Sequence, residues 1–271
     1  MEGMKDKKKV EKTVVVLGMH RSGTSLVAGI LEKLGVNMGK RQVGIHWSNP
    51  LGHYENIDFI KMNDKILKKA GGTWDNPPEI SDILRLSSDK KLMSEIEKVV
   101  RRNEDVIWGW KDPTTSLTIE LYLPFLTNPH FIVCYRDPEA IARSLKERDD
   151  MDREKALQLT DYYIKSIKEF FKRHPELKYI EIQYEELIEN PEEIIYRLID
   201  FLKINPTQKQ INEALSLVLP TEEIEKLQKE LKKKEIIFLI KDIVKNPYLL
   251  RRYLFRALKN PKYALKKIGL R

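Results

Sequence analysis

The chain has 271 residues, 41% of them hydrophobic, with four Trp, which is enough apolar material for a sizeable core and excludes a wholly disordered chain. No apolar run approaches the roughly 18 residues of a membrane-spanning helix, and the opening MEGMKDKKKVEK lacks the apolar stretch of a secretory signal. The net charge of +8 is local, because residues 221–271 hold 15 Lys+Arg against 6 Asp+Glu while residues 1–220 hold 34 against 35; no nucleic-acid partner is expected of such a distribution.

In chain order, residues 1–12 read as a flexible tail. The β-branched run Thr13 to Leu17 ends at Gly18 and predicts a buried strand. Leu26 to Leu34 has helical apolar spacing and stops at Gly35, a C-terminal cap. Residues 35–55 form a Gly-, Asn- and His-containing connection longer than a structural link needs. Helices are predicted over Ile57–Lys69 and Asp89–Arg102, separated by an irregular stretch through Asn76-Pro77-Pro78. Val106 to Trp108 predicts a second strand, broken by Lys111-Asp112-Pro113, followed by a helix over Ser116–Phe125. Phe131 to Tyr135 is a third strand, and Asp137-Pro138 opens a helix with a cap and an N1 proline. A longer helix over residues 153–173, a strand over 178–183 and a helix over 191–203 complete the alternation. From Pro206 onward every segment reads as helix. The expected class is therefore α/β, a three-layer domain around a parallel sheet over residues 13–205, with a helical, basic extension over 206–271.

The stretch Gly18-Met19-His20-Arg21-Ser22-Gly23-Thr24-Ser25 stands between a strand and a helix. Glycine turns expose backbone N–H groups, and a helix N-terminus adds positive potential, so this is an anion cradle. Its Gly-x-x-x-x-Gly spacing matches a P-loop, but Thr24 stands where nucleotide hydrolases carry Lys, and Arg21 offers a planar cationic fork instead. The bland alternative is a tight strand-to-helix turn with a solvated arginine.

At this point the sequence resembles the sulfotransferases that use 3′-phosphoadenosine 5′-phosphosulfate (PAPS). Their 5′-phosphosulfate loop corresponds here to Arg21-Ser22-Gly23-Thr24-Ser25, and an Arg at this first position resembles the tyrosylprotein and bacterial carbohydrate branches. Their second signature, a strand ending in Arg with Ser eight residues on, is matched by Arg136 and Ser144; the resemblance implies that this pair grips the 3′-phosphate. Trp108-Gly109-Trp110-Lys111-Asp112-Pro113 is similar to the Lys-Asp-Pro element whose Lys stabilises developing charge. Asn49-Pro50-Leu51-Gly52-His53-Tyr54-Glu55-Asn56 resembles the bacterial branch, where a Glu after the first helix is a base. Tyr184-Glu185-Glu186 is similar to the element whose Tyr lies near the adenine. No stretch matches the Arg-Lys-Gly loop of cytosolic members. The resemblance spans about residues 13–204.

The resemblance implies in-line sulfuryl transfer, with Arg21 and Lys111 standing in for a metal at the bridging oxygen, Glu55 as base, and PAP (3′-phosphoadenosine 5′-phosphate) as product. His53 and His46 are the rival bases, and Glu55 read by itself is a cap or first-turn acid on the helix near Ile57. Trp47, Trp74 and Trp110 are candidates for stacking adenine or a sugar, or for filling the core. Cys134 in an apolar strand reads as a buried small residue in a reducing, cytoplasmic compartment, and no His or Cys spacing points to a metal. The expected acceptor is a hydroxyl or amine, with carbohydrate favoured over peptide or small alcohol. Two other readings stay open: a small-molecule kinase, and a non-enzymatic nucleotide-binding or membrane-associated protein on the same fold. Residues 248–271, with eight Lys+Arg and an apolar stripe, suit either packing, on the domain or in a homo-oligomer, or contact with an anionic membrane surface.

Overall fold

A computed structural model of the chain describes residues 9–245. Four parallel strands, β1 (Lys12–Gly18), β2 (Ile107–Lys111), β3 (Pro129–Tyr135) and β4 (Lys178–Gln183), lie in the order β2-β1-β3-β4. α1 (Thr24–Lys33) follows β1, and α2 (Ile57–Lys69), α3 (Ile80–Arg85) and α4 (Lys90–Asn103) precede β2. α5 (Thr115–Tyr122) separates β2 from β3, and α6 (Pro138–Asp149) with α7 (Arg153–Arg173) separates β3 from β4. α8 (Tyr184–Glu189), α9 (Pro191–Leu202), α10 (Gln208–Leu215) and α11 (Thr221–Lys245) close the described chain.

The sequence period of two sorts the strand residues between two apolar layers. Val14, Val16, Ile132 and Cys134 pack with Ile30 of α1, Leu198 of α9 and Ile211 of α10. Val15, Leu17, Phe131 and Val133 pack on the opposite face with Phe59 of α2, Ile96 of α4, Leu117 of α5 and Ile167 of α7. The strands are thus covered on both sides, which is why β1 reads as an unbroken apolar run rather than an alternating one. The helix ends follow their caps. At the end of α1, Val36 N–H bonds to Leu31 O at 2.9 Å and Gly35 N–H to Glu32 O at 3.1 Å, with Gly35 at φ +99°.

Two compact units divide the chain. One comprises the chain up to Gly44 together with Gly52–Val218, and it holds the sheet and α1 to α10. The other comprises Ile45–Leu51 and the chain from Leu219, in which Lys232 Nζ lies 5.0 Å from the ring centre of Trp47. Residues 248–271, assigned above to packing or membrane contact, lie outside the described residues, as does the tail before residue 9. No helix among the described residues is long and apolar enough to cross a membrane.

Two local expectations need correction. The strand predicted to break at Lys111 extends to include it, because Trp108 and Trp110 are both buried and the buried lysine finds hydrogen-bond partners in Ser25 and Glu55 at the strand's end. The stretch after Asn76-Pro77-Pro78 is not wholly irregular: it contains the six-residue α3, whose N-cap Glu79 makes no side-chain capping bond.

The turn after β2 is fixed by Asn63 of α2, which is fully buried. Its Nδ2 donates to Asp112 Oδ2 at 2.7 Å and to Thr115 Oγ1 at 2.9 Å, and its Oδ1 accepts from Thr118 Oγ1 at 2.6 Å and Tyr122 Oη at 2.8 Å. All four bonds open to the amide are therefore made. Asn63→Ala leaves several buried groups without partners, each at about 1–3 kcal/mol. At about 2–4 °C per kcal/mol for a chain of this size, it is expected to lower the melting temperature by roughly 6–12 °C; a shift below about 1 °C in thermal denaturation would show that the network does not anchor the turn.

Candidate functional site

The connection after β1 leads towards β2 and that after β3 towards β4, so the sheet's direction of growth reverses between two adjacent strands. Ligands of open α/β sheets bind in the crevice outside the carboxyl ends of the strands at such a reversal. The loops carrying Arg21 and Arg136 leave β1 and β3 at this point.

The first loop is shaped by close backbone approach. A Cβ on Gly18 would come within 2.7 Å of both Cys134 O and Ser22 Oγ, and one on Gly23 within 2.5 Å of the Tyr184 ring. Gly23 sits at φ +92° as the N-cap of α1, and Arg21 at φ +71°, a conformation costly to a residue with a side chain. Ser22 Oγ donates to Met19 O at 2.7 Å, closing the turn. Ser116 of α5 clamps the base of the loop: Gly18 N–H donates to its Oγ at 2.9 Å, and that hydroxyl donates to Gly18 O at 3.2 Å. α1, like α3, α5, α8 and α9, has no side-chain cap, and it carries no acid in its first turn. The first-turn N–H groups of α1 are thus left to meet an anion.

The two signature segments meet through Arg21. Its Nε donates to Ser144 Oγ at 2.7 Å, and Arg136 Nη1 donates to Arg21 O at 3.1 Å. Arg136 also lies over the Tyr184 ring, 4.2 Å from its centre, so Tyr184 packs beneath both Arg136 and Gly23. Burial and the guanidiniums of Arg148 and Arg136 push Arg21 down to about 10. Arg136 Nε is buried with no hydrogen-bond partner.

The second cluster lies at the end of β2. Lys111 is completely buried, and its Nζ donates to Ser25 Oγ at 2.9 Å and Glu55 Oε1 at 2.7 Å. Glu55 is not the cap of α2: Asn56 holds that position, accepting from Asp58 N–H at 3.0 Å, while Val43 N–H fixes Glu55 O at 2.8 Å. The two rival bases Glu55 and His53 are neighbours, with His53 Nδ1 4.0 Å from Glu55 Oε2. His46 belongs to the other compact unit, where its Nδ1 lies 2.8 Å from Ser48 Oγ. Asp112 is raised to about 6, first by burial and then by the Glu55 charge.

Of the aromatic candidates, Trp110 is removed from ligand contact: it is fully buried and stacked on Phe59 at 4.2 Å. Trp74 packs on His20 at 4.5 Å and carries Arg148 above it at 5.5 Å. Cys134 is buried in β3, and burial pushes its thiol up to about 12, which leaves it inert. Among the described residues, no group of three or more His, Cys, Asp or Glu is placed to hold a metal ion. Sequence reasoning missed Ser116 and Asn63, whose roles arise from contacts between segments far apart in the chain and carry no local pattern.

The family model described as the sulfotransferase family matches residues 13–208. Among solved structures, the sulfotransferase STF9 from Mycobacterium avium is 16% identical, with 83% of this chain and 77% of that one covered at a TM-score of 0.46. The sulfotransferase domain of the Synechococcus PCC 7002 olefin synthase is also 16% identical, covering 84% and 89% at 0.46. Retinol dehydratase, solved with androsterone and inactive cofactor PAP, is 15% identical, covering 76% and 64% at 0.39. No curated protein matches the chain.

His20 supplies a pH test of the loop's packing. Burial, assisted by the charges of Arg148, Lys111 and Arg21, holds its imidazole well below the ordinary 6.5. The unfolded chain takes up a proton near pH 6.5 that the folded one refuses, so this contribution to stability is lost as pH falls through 6.5. Relative to wild type, His20→Phe is expected to gain in melting temperature between pH 7.5 and pH 5.5. A difference that does not change with pH would place His20 in contact with water.

Proposed function

The chain belongs to the sulfotransferase family, and from that premise we propose that it transfers a sulfuryl group from PAPS to a hydroxyl or amine, with a carbohydrate as the favoured acceptor. The observation that carries the donor assignment is the buried Arg136 Nε, which has no partner within the protein. It stands beside a loop whose Gly18 and Gly23 leave no room for a Cβ and a helix N-terminus that no side chain caps. These residues fit a ligand with two separated anionic groups. In this reading the loop Arg21-Ser22-Gly23-Thr24-Ser25 and the first turn of α1 hold the 5′-phosphosulfate, and Arg136 with Ser144 holds the 3′-phosphate. Tyr184, supporting Arg136 from below, takes the side towards the adenosine.

The chemistry then falls to the second cluster. Lys111 holds Glu55 by Oε1 and so orients the carboxylate, leaving Oε2 to accept the proton of the attacking hydroxyl. An O–S bond to the acceptor forms as the bond from sulfur to the phosphate oxygen breaks, and the electron pair leaves on that oxygen. Lys111 and Arg21 are fixed cations at the place where this negative charge grows. A buried ammonium bonded to Ser25 of the phosphosulfate loop needs no reorganisation to meet it. His53, 4.0 Å from Glu55 Oε2, is placed to pass the proton outward.

PAP is expected to raise the melting temperature far more than ADP at equal concentration, because only PAP presents a 3′-phosphate. Arg136→Ala should abolish that preference with the fold intact; equal shifts in the wild-type protein would remove the donor assignment. For the chemistry, Glu55→Gln is expected to keep PAP binding and lose at least about tenfold in turnover, with full wild-type turnover in the presence of a strong chelator. Near-normal turnover in Glu55→Gln would pass the base to a histidine.

A further inference from the structure

Tyr54 stands between His53 and Glu55 with a backbone φ of +52°, a conformation costly to a residue with a side chain. Asp150 and Lys203 share it as the C-caps of α6 and α9, and Asn128 belongs to a residue type that tolerates it. Tyr54 lies outside every helix and is a large aromatic, so its strain is held by contacts elsewhere. Its ring supplies them. The ring packs into the layer formed by α1, α9 and α10, over Gly29 of α1 and beside Gly52. A Cβ on Gly29 would come within 2.9 Å of the ring atoms Cε2 and Cζ, and within 3.2 Å of Leu217 Cδ1. Glycine inside a helix is ordinarily less stable than alanine; here the ring occupies the place of the missing side chain. Gly29 also lies one turn beyond Ser25, so the two share a face of α1. Ser25 Oγ accepts from Lys111 Nζ at 2.9 Å, and the same ammonium donates to Glu55 Oε1 at 2.7 Å. One helix thus sets both members of the ion pair, the lysine through Ser25 and the carboxylate through the ring of the residue before it.

We infer that Tyr54 is a positioning residue for the base: its ring, seated on Gly29, holds the turn that aims Glu55 at Lys111 with Oε2 on the side of His53. The inference rests on the reading of Glu55 as the base. Val43 N–H, bonded to Glu55 O at 2.8 Å, and the Asn56 cap fix the chain at and after Glu55. The Tyr54 ring fixes it before. A proton acceptor works only within hydrogen-bond reach of the group it serves, and a displacement of about an ångström is enough to lose rate. Tyr54 touches neither reacting atoms nor donor in this arrangement; it acts through the carboxylate.

The test reads turnover as PAP released from PAPS with a mixed panel of carbohydrate acceptors, and PAP affinity by isothermal titration. Gly29→Ala is expected to lower kcat at least about tenfold with PAP affinity unchanged, because the added methyl group displaces the ring. Tyr54→Gly relieves the backbone but removes the ring, and should lose as much; Tyr54→Phe keeps the ring and should stay near wild type. Tyr54→Gly leaves no ring to displace, so adding Gly29→Ala to it should lower kcat no further. If Gly29→Ala does not fold, the contrast between Tyr54→Gly and Tyr54→Phe decides. Wild-type kcat in folded Gly29→Ala or Tyr54→Gly, or additive losses in the pair, overturns the role of Tyr54 and leaves Glu55 as base. Near-normal turnover in Glu55→Gln, or no PAP release by the wild type, overturns the reading on which the inference rests.

Discussion

Lys111 is buried completely at the carboxyl end of β2, and its ammonium is bonded to Glu55 and Ser25. An unpaired charge in that position would cost several kcal/mol, so three segments must keep their places for the fold to stand. These are the strand itself, the first turn of α1 and the connection that enters α2. The same pairing brings a carboxylate, a cation and the glycine loop after β1 together. Under the proposed function, stability and chemistry rest on one set of bonds. The support beneath is equally constrained, since Asn63 ties α2 to the turn after β2 with every hydrogen bond it can make.

Around this anchor the parallel sheet does the placing. β1 and β3 are neighbours whose following connections run in opposite directions, and the loops after them carry Arg21 and Arg136. Tyr184, just after β4, fills the space beneath both Gly23 and Arg136, so a fourth strand end joins the same region. Glycine at 18 and 23 is a steric requirement here, because a neighbouring strand carbonyl and an aromatic ring occupy the places of the missing side chains.

Much of this was legible in the sequence. β1, β3 and β4 and the ends of α1, α2 and α7 follow from apolar period and capping residues, which are local properties. Arg21 was singled out by its loop, and Arg136 with Ser144 by the family resemblance; the structure joins them through hydrogen bonds that neither specifies. The strand break expected at Lys111 was misjudged because a lysine reads as polar until its partners Ser25 and Glu55 are known. Trp110 was a reasonable ligand candidate until its stack on Phe59 placed it in the core. Glu55 had two readings, a helix-terminal acid or a partner in the site; Asn56 takes the cap, and Glu55 turns to Lys111. Ser116 is invisible to any local pattern, since it meets Gly18 across 98 residues of chain.

The central claim is that the buried cations act on a sulfuryl group held by PAPS. Incubation of the full chain with PAPS labelled in its sulfate, across a panel of carbohydrate, peptide and small-alcohol acceptors, tests it most directly. The account predicts label on an acceptor, carbohydrate first, with one PAP released for each sulfate transferred. Absence of label from every acceptor, with phosphate transferred from ATP to the same panel when Mg²⁺ is present, would contradict it.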